Sequence, residues 1–185
     1  MLRRHQSGFS FIEVLVAFFI LATGLIGTVA MQAVAKRNSF DATQRAQALA
    51  MANDIIDRIR ANSSVAESYN ANDYGAGNIG APNPRCNLAG ANCTAAQIAL
   101  NDRFEWDQRL LGTDVTRAGA NSGGIVGATG CVRFNATGDL TVVVSWLGRE
   151  AIQDAAASTG ELDCGDESAE RRQVVINTFI WRQEL

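Results

Sequence analysis

Two hydrophobic patterns follow one another in the first third of the chain. From Val14 to Ala35 no residue is charged, and this run of about 22 residues makes roughly 33 Å of helix, enough to cross a bilayer core of about 30 Å. Beyond it, Ala42, Ala46, Leu49, Ala52, Ile56 and Ile59 recur at three- and four-residue steps, with Gln44, Arg45, Gln47, Asp54, Asp57 and Arg58 largely between them. That is the periodicity of an amphipathic helix. No proline interrupts from Phe9 to Asn62, so the pattern predicts one long helix over 9–62, with about 14–35 as its membrane-spanning part. Gly24 and Gly27 each cost about 1 kcal/mol relative to Ala in a helix interior. They fit either local unwinding or close helix packing through Thr23, Gly24, Gly27 and Thr28.

The periodicity is lost from Ser63 to Asn92, where Asn, Gly, Ala and both prolines, Pro82 and Pro84, collect. This reads as an irregular surface loop within a broader loop region over 63–130. Inside that region Thr94-Ala95-Ala96-Gln97 matches a capping box opening a short helix near 95–111, which Gly112 would stop. Ile98, Leu100, Phe104, Trp106, Leu110 and Leu111 form no single stripe along it. The stretch 119–130 is glycine-rich and reads as a loop without phosphate-binding spacing. Strand signals come last. Cys131–Phe134 and Leu140–Leu147 flank a Gly-containing turn at Asn135–Asp139, a hairpin pattern in which Leu140, Val142, Val144 and Trp146 share one face. Val174–Trp181 gives a third β-rich segment. A sheet over 131–185 packed on the amphipathic half of the long helix buries both apolar faces, an α+β fold.

All four cysteines, Cys86, Cys93, Cys131 and Cys164, lie beyond the apolar run. An even number there reads as disulfides in an oxidising compartment, which puts the body of the protein outside the cytoplasm. Four cysteines allow three pairings. Loop-closure entropy favours Cys86 with Cys93, a short ring, and Cys131 with Cys164. Net charge is −3, no electrostatic match for nucleic acid, and Arg58 with Arg60 or Arg171 with Arg172 make too small a basic patch. The single histidine, His5, precedes the apolar run. The cysteines lack paired zinc-ligand spacing, and the acidic residues Glu161, Asp163, Asp166, Glu167 and Glu170 miss the EF-hand pattern. No catalytic constellation, metal site or cofactor site is therefore expected.

Arg3, Arg4 and His5 stand in a short polar leader ending at Gly8, and Gly8-Phe9-Ser10-Phe11-Ile12-Glu13 opens the apolar run. A carboxylate at such a boundary costs about 3 kcal/mol on insertion scales and calls for a partner. A secretory signal is a rival reading, since Ala33-Val34-Ala35 precedes Lys36 as an A-x-A site; against it, the run exceeds the usual core of about 7 to 15 residues and Glu13 interrupts its start. A plain signal anchor would explain the span but neither Gly8 nor Glu13. The stretch resembles the processing site of type IV prepilins, with Gly before the cut, Phe after it and Glu at the fifth mature position. Glu13-Val14-Leu15-Val16-Ala17, Ile20-Leu21-Ala22-Thr23-Gly24-Leu25-Ile26-Gly27 and Asp57-Arg58-Ile59-Arg60-Ala61-Asn62 further resemble PilV-type minor pilins.

The resemblance implies a pilin fold and a leader of residues 1–8. It implies that a prepilin peptidase cuts between Gly8 and Phe9 and methylates the amino group of Phe9, and that Glu13 docks the subunit against that amine on a neighbour. The expected partners are other minor pilins, the major pilin, the pilus assembly machinery and the inner membrane, with a periplasmic C-terminal domain and a place in the filament near its tip. The expected role is initiation and assembly of the type IV pilus, and through it twitching motility and adhesion. A type II secretion pseudopilin is the alternative within the same fold. A DNA-uptake or adhesive subunit would need an exposed basic or aromatic patch, and a membrane-anchored enzyme would need a catalytic site not visible in the sequence.

Overall fold

The computed structural model describes residues 8, 10–88, 90–113, 115–152 and 163–181. Its first helix, α1, runs over Phe11–Ala61 without a break, close to the helix predicted over 9–62. It continues through Gly24 and Gly27, so neither unwinds it, and a Cβ at either position would meet nothing within 4 Å. Two side chains bond back to the preceding turn instead: the Thr23 hydroxyl donates to the Ile20 carbonyl at 2.9 Å and the Thr28 hydroxyl to that of Leu25 at 2.8 Å. This back-bonding satisfies the hydroxyls within the helix itself.

The chain divides into two units, Met1–Phe40 and Asp41–Leu185. In the first, the described residues up to Ser39 are exposed, and the most apolar window of α1 has no buried residue. Among the described residues of this unit, the hydrophobic surface is exposed. The second unit is α+β. A short 3-10 helix, Ser63–Tyr69, follows α1 and leads into β1, Ala71–Tyr74. Next come α2 (Ala95–Leu111), the two-residue pair β2 (Thr116–Arg117) and β3 (Ala120–Asn121), and then β4 (Thr129–Phe134), β5 (Asp139–Leu147) and β6 (Arg171–Phe179). The main sheet has the order β1-β4-β5-β6, and each neighbouring pair is antiparallel.

In register, Phe134 faces Leu140, Val132 faces Val142 and Gly130 faces Val144. Directly opposed residues share a face, and this one packs with Ala48, Ala52, Ile55, Ile56 and Ile59 of α1 into a single core. Tyr74 meets Trp106 edge-on at 4.7 Å between ring centres. The Trp106 indole also lies over Gly130, where an added Cβ would come within 2.6 Å of its Cζ3 and 2.8 Å of Leu110 Cδ1. Only glycine fits in that strand. The opposite face of the sheet buries Cys131, Val143 and Cys164 together.

Several expectations change. The buried stripe of α1 is Gln44, Ala48, Ala52, Ile55, Ile56 and Ile59; Ala42 and Ala46 are exposed. The stripe is turned because Gln44 takes an inward position, its Oε1 accepting from the Val126 amide at 3.0 Å. The loop region over 63–130 is not irregular throughout, since 63–74 forms the 3-10 helix and an edge strand, and the supposed glycine loop 119–130 contains β3 and the start of β4. The last strand is Arg171–Phe179, beginning three residues before Val174 and ending before Trp181. α2 matches the expected 95–111: the Thr94 side chain accepts from the Gln97 amide, the Gln97 side chain from that of Thr94, and Gly112 ends the helix in the left-handed region at φ 68°.

Candidate functional site

The candidate site of the first unit is the start of α1. Gly8 is exposed, and a Cβ there would meet nothing within 4 Å. Among the described residues, no packing contact requires a glycine at this position. Phe9 and the leader residues Arg3, Arg4 and His5 lie outside the described residues. The Ser10 carbonyl accepts from the Glu13 amide at 3.0 Å and from the Val14 amide at 3.3 Å, which starts the helix. Glu13 is exposed in the first turn, where a carboxylate interacts favourably with the helix dipole. It shares a helix face with Ala17 and Leu21. Between Ser10 and Ala35 it is the sole charged residue.

The second unit holds the motif Asp57–Asn62, and the structure explains most of it. Arg58 donates to the carboxylates of Asp102 at 2.7 Å, Glu105 at 3.0 Å and Asp54 at 3.1 Å. Arg109 donates to the same Asp54 at 2.7 Å. The Asn62 amide donates to the Ala95 carbonyl at 2.8 Å and to the Tyr69 hydroxyl at 3.1 Å, and that hydroxyl donates to Asp102 at 2.7 Å. Arg60 reaches Asp57 at 3.3 Å and the Thr178 hydroxyl of β6 at 3.0 Å. Ile59 is fully buried between them. The motif therefore fastens the end of α1 to α2, the 3-10 helix and the sheet. Burial pushes the Tyr69 phenol well above its ordinary value. Burial would also lift the Glu105 carboxyl, but hydrogen bonds from Asn101 and Arg58 outweigh it and hold the group below the usual range.

The cysteines pair as expected: Cys86 with Cys93, Cα atoms 6.0 Å apart, and Cys131 with Cys164, 5.9 Å apart. The first ring is tied to α2, because Arg85 donates to Asn101 at 2.9 Å and stacks over the Phe104 ring at 4.7 Å. The second joins β4 to the segment before β6. In that segment Asp163 accepts from the buried Arg171 at 2.6 Å, while Glu161 lies outside the described residues. Among the described residues no group of three or more His, Cys, Asp or Glu side chains is arranged to hold a metal ion.

Residues 3–29 match the family model of the prokaryotic N-terminal methylation motif, and residues 30–104 match that of type IV pilin Tt1218. The two matches adjoin, and together they span residues 3–104, which take in α1 and the part of α2 that carries Asp102. The chain belongs to the type IV pilins. No curated protein and no solved structure matched it. For a pilin, the methylation motif implies processing by a prepilin peptidase and assembly with other pilins. As a pilin with an apolar N-terminal helix, the chain is anchored in a membrane and incorporated into a pilus. The three residues of α2 that bind Arg58, Asn62 and Tyr69 were not singled out from the sequence as partners of those groups. Ala95, Asp102 and Glu105 recur at three- and four-residue steps with Ala99, an amphipathic stripe written in polar letters.

Proposed function

We propose that this pilin is a minor subunit of PilV type, which acts in initiation and assembly of the type IV pilus and so in twitching motility and adhesion. The PilV-type part of the reading rests on the resemblance of Glu13–Ala17, Ile20–Gly27 and Asp57–Asn62, and one observation carries the docking part: Glu13 is the sole charge in an apolar stretch whose described residues are exposed all round. A carboxylate in lipid is costly. Two opposite charges in a helix bundle each lose several kcal/mol of hydration and offset it only when paired in good geometry. The peptidase cuts between Gly8 and Phe9 and methylates the new amine, and Glu13 of one subunit pairs with that amine on Phe9 of the next. Correct axial register is thereby favoured over slipped ones.

In this reading the chain is a single-pass protein of the inner membrane with its C-terminal domain in the periplasm, a compartment in which both disulfides persist. Its partners are the prepilin peptidase, other minor pilins, the major pilin and the assembly machinery, and it ends near the pilus tip. The reading is of a structural subunit: its one histidine, His5, leaves with the leader, so no histidine-based catalytic pair remains. Deleting the gene and scoring surface pili, secreted enzymes and DNA uptake side by side tests the assignment. Loss of surface pili with secretion intact is expected. Loss of secretion with normal piliation would assign the chain to a type II secretion system instead.

A further inference from the structure

The two disulfides sit in unlike surroundings. Cys131 and Cys164 are 1 % and 0 % exposed in the sheet face, whereas Cys86 and Cys93 are half-buried and flanked by the exposed Asn87, Asn92 and Thr94. A thiolate breaks a disulfide by direct attack on a sulfur, so access decides which bridge it reaches. The accessible bridge is also a fastener. On one side of it, the Cys86 amide donates to the Asn101 side-chain oxygen at 3.3 Å, and Arg85 donates to the same oxygen at 2.9 Å. Asn101 is buried, and its amide donates to Glu105 at 2.9 Å, where Arg85 also reaches at 3.4 Å. The other oxygen of Glu105 accepts from Arg58 of α1 at 3.0 Å. On the far side of the bridge, Cys93 precedes Thr94, the cap of α2, and Ala95, whose carbonyl accepts from Asn62 at 2.8 Å. The bridge therefore joins two grips on α2, one at its cap and one at Asn101 and Glu105, and both bear on the end of α1.

We propose that Cys86–Cys93 is a redox latch that sets how firmly α2 holds the end of α1, opened by a dithiol reductant while Cys131–Cys164 stays closed. One thiolate of the dithiol attacks a sulfur of the bridge, which gives a mixed disulfide and releases one cysteine thiolate. The second thiolate then displaces the other cysteine, and the reductant leaves as a cyclic disulfide. Two electrons pass to the cysteine pair, and the two protons lost by the dithiol complete its thiols. With the bridge cut, the chain between β1 and α2 gains conformational freedom, and only hydrogen bonds and the stacking of Arg85 on the Phe104 ring keep it against α2. As Arg85 and the Cys86 amide leave, the Asn101 oxygen loses both donors and Glu105 loses one of its cations. The sheet keeps its own bridge and its register. An oxidising compartment holds the latch shut at rest. The latch does not depend on the minor-pilin reading.

The full chain in detergent, without denaturant, is titrated with dithiothreitol, free thiols are trapped with iodoacetamide and mapped by mass spectrometry, and amide hydrogen exchange is followed on the same samples. Alkylation of Cys86 and Cys93 is expected while Cys131 and Cys164 remain linked. Exchange should become about tenfold faster over residues 98–105 and 58–62 and stay unchanged in β4 and β5. Reoxidation with oxidised glutathione should restore the slow exchange. The double variant Cys86→Ser with Cys93→Ser should exchange fast in both segments with or without reductant. Reduction of both bridges together, or of neither short of denaturation, overturns the proposal. So does opening of Cys86–Cys93 that leaves exchange in both segments unchanged.

Discussion

Arg58 of α1 donates to Asp102 of α2 across 2.7 Å, and the other oxygen of Asp102 accepts from Tyr69 at the same distance. One carboxylate thus ties α2 both to α1 and to the 3-10 helix that follows it. Because the Arg58 and Asp102 side chains are 19 % and 12 % exposed, removing one partner strands charge in a poorly hydrated place. Arg58→Met keeps the aliphatic stem and should lower unfolding stability by about 2 to 3 kcal/mol, below the cost at a fully buried pair because solvent still screens this one. Combining it with Asp102→Asn should reveal a coupling of about 1 kcal/mol or more in denaturant unfolding. Strict additivity would mean that the pair is incidental.

Glu105, which accepts from the same guanidinium, makes the junction acid-sensitive. Its folded value lies below the ordinary 4.5, so the unfolded chain binds a proton first as pH falls. The stability it contributes is full above about pH 4.5 and is lost as pH drops through the lower folded value. Glu105→Gln should therefore flatten the decline of stability below about pH 4.5, measured by denaturant midpoints from about pH 6 to about pH 3. An unchanged slope would remove Glu105 from the account of acid unfolding.

The two disulfides should differ in weight. Cys86–Cys93 closes a separation of 7 residues and Cys131–Cys164 one of 33. In the chain-entropy model these correspond to about 2 to 2.5 and about 3 to 4 kcal/mol. Double alanine replacement of each pair, followed by denaturant unfolding, should show the larger loss for Cys131 with Cys164, which are also buried in the sheet face. A larger loss for the short ring would show that packing around Arg85 and Phe104 outweighs loop length.

What the sequence made legible, and what it hid, divides along physical lines. Signals that act within a few residues were readable: the capping box of Thr94 and Gln97, the left-handed stop at Gly112, the β4–β5 hairpin and the unbroken α1. Buried positions filled by polar side chains were not. Gln44, Asn101, Asp102 and Asp107 are buried, yet hydrophobic periodicity reads them as surface. That is why the stripe on α1 came out turned and α2 showed no clean face. Strand β1 is four residues long and contains Asn72 and Asp73; only Tyr74 marks it, and its partner lies in β4, far along the chain. At the N-terminus the sequence named Gly8 and Glu13 through a resemblance, and both are exposed among the described residues.

That exposure makes the start of α1 a clean place for mutation. Glu13→Ala should insert and still be cut after Gly8, because the apolar span is intact, but should co-purify poorly with other pilus subunits. Gly8→Leu should block cleavage and leave the leader attached, without a folding defect, since Gly8 is exposed and a Cβ there meets nothing within 4 Å. Membrane fractionation and pull-down of both variants check this. Normal piliation by Glu13→Ala would reduce Glu13 to a residue that favours the helix start.

Mass spectrometry of the mature N-terminal peptide, isolated from membranes and from sheared filaments, most directly tests whether this chain is processed and assembled as a pilin. The expected peptide begins at Phe9, carries one methyl group on its amino terminus and is found in both fractions. A mature chain beginning at Lys36, or one that keeps the leader through Gly8, would contradict it.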